Sequence, residues 1–385
     1  MRVLHCIPNM AGGGAERQLA LLATAQQRAG FAVGVALLAA GPNSARLEAS
    51  GAQIFRIGAS GNHDPRIAAS LVALMRRHRP DVVQTWLPQM DVLGGLAAWL
   101  TRSPWVLSER CASEAYRGRI TDRLLRATAG RAADAIVANS ADGLAYWRGR
   151  SAARAVLEVV PNMLPLDEIG VAEPLDLPAA GLATDGPLLL NVGRLAPQKN
   201  LPLLLHALAA LSAERPFSAI FCGEGPLAGE LAALAQRLGL ASRVTFAGYR
   251  SDVWRLMKRA DLLVNLSTFE GQPNAVIEAM ACGCPVVASD IGAHRALLGG
   301  DLGLLVDAQS PAAVAAALHS VLANRGAARA RAARAQTAAA AFGPDAAVTA
   351  YDAVYRRIAG APAVPTRASK SGPVTPVEEG QHVRH

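Results

Sequence analysis

Aromatic residues make up only 4 % of this 385-residue chain, which leaves little surface on which bases could stack and suits tightly packed layers of helix on sheet instead. No run of about 18 apolar residues occurs, so no membrane-spanning helix is expected. The first apolar segment breaks at Pro8 and a glycine loop follows, so it does not read as a secretory signal. Cysteines are few and odd in number: Cys6, Cys111, Cys222, Cys282 and Cys284. They lack paired metal-ligand spacing and read as reduced, mostly buried residues of a cytosolic protein, with Cys282-Gly283-Cys284 as packing at a helix end. No Asp-x-Asp motif appears, so no metal is expected. The G-x-G-x-x-G fingerprint is also missing, and no acidic residue stands out about 20 positions further on, which counts against a dehydrogenase.

Charge is present but uneven. The net charge is +8, and residues 1–165 carry 19 basic against 11 acidic side chains, while the remainder balances 19 with 19. All of the excess lies in the first half, which points to an anionic partner there: a membrane surface, a lipid diphosphate or nucleic acid.

The length suits two α/β domains. Buried-strand runs recur at 2–7, 32–39, 53–57, 81–86, 105–109, 135–138 and 156–160, with helical periodicity between most of them. Such alternation predicts a parallel, doubly wound sheet. The pattern stops around Pro161-Asn162-Met163-Leu164-Pro165 and resumes at 187–192, 218–222, 244–247, 261–267, 285–289 and 303–307. We therefore expect one domain over 1–165, a second over 166–344, a helix over 345–360 that crosses back to the first, and a disordered tail over 361–385.

In doubly wound sheets, ligands gather where strands end. One such place organises the chain: Phe269-Glu270-Gly271-Gln272-Pro273-Asn274 followed by a short helix containing Glu278. Gly271 admits another molecule to the backbone, Pro273 is tolerated before a helix start, and Asn274 is a cap candidate. A helix N-terminus at a strand end is an anion site, and carboxylates beside it suit hydroxyls, so the implied ligand carries both phosphate and sugar. After residue 192 comes Gly193-Arg194-Leu195-Ala196-Pro197-Gln198-Lys199. Two cations in one strand-to-helix loop suit a diphosphate, with arginine as a fork and lysine as a point charge. Gly223-Glu224-Gly225-Pro226 opens another helix, and Gly12-Gly13-Gly14 before Ala15-Glu16-Arg17 forms a strand, glycine loop and helix.

Elsewhere, Glu109 and Arg110 follow a strand and read equally as a local ion pair or as acceptor recognition. Asn139-Ser140-Ala141-Asp142 reads first as a helix cap, and Arg76-Arg77-His78-Arg79 as a helix end complementing its own dipole. Residues 116–131 combine helical apolar spacing with five arginines, which suits either anionic lipid or a solvated face.

Taken in order, these motifs resemble the retaining, GT-B-fold glycosyltransferases of family 4, also called glycosyl transferases group 1. The elements that carry the resemblance are Gly12 to Arg17, Gly193-Arg194-Leu195 with Lys199, Gly223 to Pro226, and Glu270 with Glu278 as an E-x7-E pair. The resemblance implies two Rossmann-like domains facing a cleft, with the nucleotide-sugar donor on the second and the acceptor on the first. It implies that Arg194 and Lys199 hold the donor diphosphate, Glu270 the transferred sugar and Glu278 the ribose. Gly13, Gly14, Gly193, Gly223, Gly225, Gly271 and Asn274 would line the donor, and Glu16, Arg17, Glu109 and Arg110 the acceptor side. Many members carry a histidine where this chain has Ser108-Glu109-Arg110, and an acid where it has His294-Arg295-Ala296; the second difference reads as structural. The expected activity is transfer from a nucleoside-diphosphate-sugar, UDP favoured, to a glycan or lipid-linked glycan, peripherally at the inner membrane face and without nucleic acid or cofactor. The rival readings are a nucleotide-sugar epimerase of the same fold and a non-catalytic binder of anionic lipid.

Overall fold

The computed structural model describes residues 1–59, 61, 64–111, 120–182 and 185–360, with 120–123 by backbone alone. The expected disordered tail and residues 116–119 of the arginine-rich segment lie outside the described residues.

The first unit runs β1 (Arg2–Cys6), α1 (Gly14–Arg28), β2 (Ala32–Leu37), α2 (Ser44–Ala49), β3 (Gln53–Arg56), α3 (Arg66–His78), β4 (Val82–Trp86), α4 (Leu87–Thr101), β5 (Trp105–Glu109), α5 (Ile120–Ala132), β6 (Ala135–Ala138), α6 (Ala141–Trp147) and β7 (Val156–Val159). After α7 (Leu166–Val171) the second unit follows: β8 (Leu188–Val192), α8 (Leu201–Ser212), β9 (Ser218–Cys222), α9 (Ala228–Arg237), β10 (Val244–Gly248), α10 (Val253–Arg259), β11 (Leu262–Asn265), α11 (Asn274–Ala281), β12 (Val286–Ser289), α12 (Gly292–Leu298) and β13 (Leu304–Val306). Three helices close the described chain: α13 (Pro311–Ala323), α14 (Arg325–Ala339) and α15 (Pro344–Ala359).

The strands are apolar on both faces because helices cover both, as in any parallel sheet. Their orders are β3-β2-β1-β4-β5-β6-β7 and β10-β9-β8-β11-β12-β13, and all pairings are parallel. Each sheet therefore reverses direction between its first and fourth strands, β1 and β4 or β8 and β11. That reversal opens a crevice at the carboxyl edge. These are two Rossmann-like units, the GT-B arrangement expected from the motifs.

Side-chain caps form at some helix starts, while Asn43 of α2 and Asp252 of α10 hold cap positions without one. Ser140 accepts from the Gly143 amide at 3.1 Å, Ser310 caps α13 with Pro311 behind it, and Asn324 caps α14. Helix α15 returns to the first unit, where Tyr351, Val354 and Tyr355 join a core with Val3, Leu19 and Trp86. A buried polar chain fastens it there. The Trp86 indole donates to His5 Nδ1 (3.2 Å), His5 Nε2 lies 2.8 Å from Gln26 Oε1, and Gln26 Nε2 donates to the Tyr355 hydroxyl (3.0 Å). Tyr355 in turn donates to Gln84. With an indole donor on Nδ1, the imidazole is neutral, and burial holds its pKa down to about 4. Among the described residues no helix is long and apolar enough to cross a membrane.

Candidate active site

The carboxyl edges of the two sheets face each other. Here Lys199 ends a short turn after β8, and its Nζ donates to Glu270 Oε1 at 2.5 Å. Glu270 follows β11, and its carboxylate is further held by Ser267 Oγ, 2.7 Å away, and by Gln198 Nε2, which also donates to the Phe269 carbonyl at 2.7 Å. Three neighbours thus fix one carboxylate at the mouth of the crevice. Arg194, five residues before Lys199 on the same loop, is exposed, and the Glu270-Lys199 pair is half-buried, where ion pairs are less screened than on an open surface.

The glycines of the second unit have a structural reason to be glycine. Gly223 has φ +139°, and a Cβ there would lie 2.0 Å from the Gly193 carbonyl oxygen; one on Gly225 would lie 2.3 Å from the Leu195 carbonyl oxygen. The loops after β8 and β9 press backbone on backbone, joined by Leu195 N donating to Glu224 O at 2.9 Å. This contact sets the path of the loop carrying Arg194 and Lys199.

The opposite wall comes from the first unit. A Cβ on Gly14 would meet Asn274 Nδ2 at 2.6 Å, and one on Gly271 would meet Arg110 O at 3.0 Å and Asn139 Oδ1 at 2.9 Å. Gly13 leaves room for the Glu16 carboxylate, which curls back over it and whose pKa is raised by burial. Arg17 crosses the cleft: its guanidinium reaches Glu278 Oε1 at 2.8 Å and lies 5.0 Å from the Trp254 ring centre. Glu278 is buried, which pushes its pKa up, while Arg17 opposes that shift.

Known proteins show the same organisation. The Glycosyltransferase Family 4 model matches residues 12–168, and that of Glycosyl transferases group 1 matches residues 186–324. The 2-deoxystreptamine glucosyltransferase of Streptomyces kanamyceticus is 30 % identical over 266 residues, 61 % of this chain and 67 % of that protein. The chain belongs to glycosyltransferase family 4. Another family relative is the N-acetylgalactosamine-N,N'-diacetylbacillosaminyl-diphospho-undecaprenol 4-alpha-N-acetylgalactosaminyltransferase of Campylobacter jejuni, 33 % identical over 187 residues. That alignment spans 48 % of this chain and about half (49 %) of that relative. The fold is shared with Anabaena Alr3699/HepE, solved in complex with UDP and glucose, at a TM-score of 0.80 and 22 % identity over 93 % of this chain and 100 % of that one.

Within this family fold, some sequence expectations need correction. Asn274 does not cap α11: Pro273 holds the cap position, and the Asn274 side chain instead accepts from Asn162 Nδ2 at 2.8 Å. Its amide is drawn across to the linker, where Asn162 is the better partner. Glu109 and Arg110 form no pair with each other. Glu109 is fully buried and accepts from Arg126 Nη1 (2.7 Å), the Trp147 indole (2.9 Å) and the Cys111 amide (2.9 Å). Its carboxylate is thus engaged inside the first unit. Arg110 stacks 4.4 Å over Trp86 and donates to Asn162 Oδ1 at 3.2 Å and to the Tyr351 hydroxyl.

Two neighbours of the site have contacts that the sequence reading did not assign them. Arg126 is itself buried and also donates to Asp91 at 2.8 Å, so a buried charge triad supports the end of β5. A lone aspartate inside the apolar α4 was the available signal. His294 is wholly buried, bonded through Nδ1 to the Ser289 carbonyl at 2.8 Å, and its Nε2 has no hydrogen-bond partner. Burial depresses its pKa, and its position beside Ser289 makes it part of the floor under Glu270.

Proposed function

We propose that this chain moves a sugar from a nucleoside-diphosphate donor, UDP favoured, to a hydroxyl of a glycan or lipid-linked glycan with retention at the anomeric carbon. The observation that carries this reading is the half-buried Lys199-Glu270 pair, formed from the ends of β8 and β11 next to the start of α11, with Arg194 on the same loop as Lys199. Cleaving the bond from C1 to the diphosphate leaves its electron pair, and growing negative charge, on the departing oxygen. In this reading Arg194, Lys199 and the first amides of α11 stabilise that charge. The acceptor hydroxyl then bonds C1 on the face the diphosphate leaves, and its proton passes to the departing phosphate oxygen. Glu270 orients the sugar and Glu278 the ribose.

The UDP preference draws on HepE, whose structure holds UDP and glucose. The lipid-linked acceptor draws on the Campylobacter relative, whose name specifies a diphospho-undecaprenol substrate. Such a substrate would place the enzyme at the inner membrane face. The test is a screen of nucleotide-sugars, followed by Lys199→Ala and Arg194→Ala with the donor that stabilises the protein. A donor at about a hundred times its Kd should stabilise by ~2.7 kcal/mol, and each substitution should lower kcat by roughly two orders of magnitude. Transfer at the wild-type rate by Lys199→Ala overturns the leaving-group assignment.

A further inference from the structure

Among the described residues seven large apolar side chains are exposed, and five of them, Leu96, Trp99, Leu100, Leu124 and Leu125, lie on α4 and α5. One exposed leucine is ordinary, whereas a contiguous group on adjacent helices marks a binding surface. The two helices pack side by side, with α3 on the other flank of α4. Helix α4 is also inverted relative to an ordinary surface helix. Its buried face is largely small, with Gly94, Gly95, Ala97 and Ala98, and a Cβ on Gly95 would lie 2.3 Å from the Trp105 ring. Met90 is buried with them, whereas Leu96, Trp99 and Leu100 point outward. Leu96, Trp99 and Leu100 stand at i, i+3 and i+4, so they form one stripe, and the half-buried Val92 extends it by a turn.

Arginines rim one end of this stripe. Arg76 and Arg77 close α3 with Arg79 after them, Arg102 follows α4, and Arg131 lies in the last turn of α5; all are exposed. None of them forms an ion pair among the described residues. Their proximity follows from packing: the Thr101 hydroxyl reaches Met75 Sδ at 3.5 Å, and a groove of about 520 Å³ is lined by Trp99, Leu100, Arg102, Ala132 and Arg154. Helices in this fold run antiparallel to their strands, so the arginine rim lies at the edge opposite the cleft, and the apolar stripe runs from it towards the cleft mouth.

We propose that this flank, α4 with α5 and the arginine ends of α3 to α5, is a docking surface for an anionic lipid bilayer. The stripe enters the boundary between headgroups and acyl chains, with Trp99 at the depth its amphipathic ring favours. The arginines meet lipid phosphates. Charge complementarity selects lipid over a second copy of this chain, whose matching flank would bring the same unpaired arginines face to face. The lipid-facing arginines differ from those first suspected, because Arg126 is consumed by Asp91 and Glu109. Docking requires no turnover, so its outcome is independent of the transferase reading.

The experiment uses the full chain and vesicles of phosphatidylcholine with about 30 % phosphatidylglycerol, against phosphatidylcholine alone. The expected result is cosedimentation with the anionic vesicles, weakened by salt, with tryptophan emission shifting to the blue. Trp99→Ser with Leu100→Ser should lower vesicle partitioning by at least about tenfold and abolish the shift, with an unchanged melting curve. Arg102→Ser with Arg131→Ser should lower binding to the anionic vesicles selectively. The proposal is overturned if the wild type stays in solution, or if the Trp99/Leu100 variant partitions as the wild type does. It is equally overturned if sedimentation velocity shows a dimer that this variant converts to monomer without any vesicle binding.

Discussion

Arg17 of α1 and Glu278 of α11 form an ion pair at 2.8 Å across the cleft, with Glu278 almost wholly buried. The carboxylate proposed to hold the donor ribose therefore also meets a cation from the opposite unit. Truncating one member of such a pair strands the other without a partner, which costs about 3 kcal/mol or more for a fully buried pair. Arg17 retains some exposure, so we expect Arg17→Ala to destabilise the donor-free protein by roughly 1 to 3 kcal/mol. Ribose hydroxyls would replace the lost partner. The deficit should shrink when saturating donor is present, measured by thermal unfolding with and without nucleotide-sugar. An equal deficit in both conditions would remove Glu278 from the ribose.

At Gly271 the second unit closes on the backbone of the first: a Cβ there would lie 3.0 Å from the Arg110 carbonyl oxygen. Backbone cannot swing aside as a side chain end can. Gly271→Ala should hold the cleft slightly open and misplace donor relative to acceptor. Misplacement by about 1 Å lowers rates by roughly a hundredfold, whereas each unit keeps its own core. We expect turnover to fall at least tenfold, taking a conservative part of that effect, with little change in melting temperature. A variant with full activity would show that this approach does not limit closure.

Much of this architecture is legible in the chain because parallel strands buried on both faces read as continuous apolar runs, and Gly or Ser marks where many of them give way to a helix. The cationic loop at Arg194 and Lys199 and the Glu270-Glu278 spacing were legible for the same reason: each lies within one strand-loop-helix unit. What escaped detection depends on partners distant in sequence. Nothing near Glu109 announces that Arg126 will neutralise it, and nothing near Glu278 announces Arg17. Asn274 illustrates a competition that only tertiary structure decides, since its amide can serve its own helix or reach Asn162. The arginine-rich α5 looked uniformly amphipathic, yet one arginine turns inward and the apolar stripe lies largely on α4.

Two buried groups of the first unit should give opposite pH slopes. His5 is lowered from 6.5 to about 4, chiefly by burial. Between those values the unfolded chain holds the proton and the native state does not, so stability from His5 rises with pH. Asp91 is raised from 3.8 to about 6, chiefly by burial and against the pull of Arg126. Here the native state holds the proton, so the contribution is full below pH 3.8 and lost as pH rises through about 6. Each shift amounts to about 3 kcal/mol, and the two nearly cancel in the wild type. Relative to wild type, urea unfolding of Asp91→Asn should show stability climbing more steeply between about pH 4 and 6, and His5→Gln should show it falling. Slopes of the same sign in both variants would contradict these assignments.

Arg110 decides a question about the acceptor side. It stacks on Trp86, donates to Tyr351 of the crossing helix, and reaches Asn162, which itself holds Asn274 at the start of α11. Those contacts describe a positioning residue that ties α15 and the linker to the donor loop. Lysine keeps the charge but loses the fork and the flat stacking face. Arg110→Lys should therefore destabilise the protein by up to about 1.5 to 3 kcal/mol, the range for hydrogen bonds to charged groups. It should also lower kcat while leaving the acceptor KM near its wild-type value. Denaturant unfolding gives the first quantity and initial rates the second. Were Arg110 an acceptor contact instead, the acceptor KM would rise with stability little changed, and the two outcomes separate cleanly in one variant.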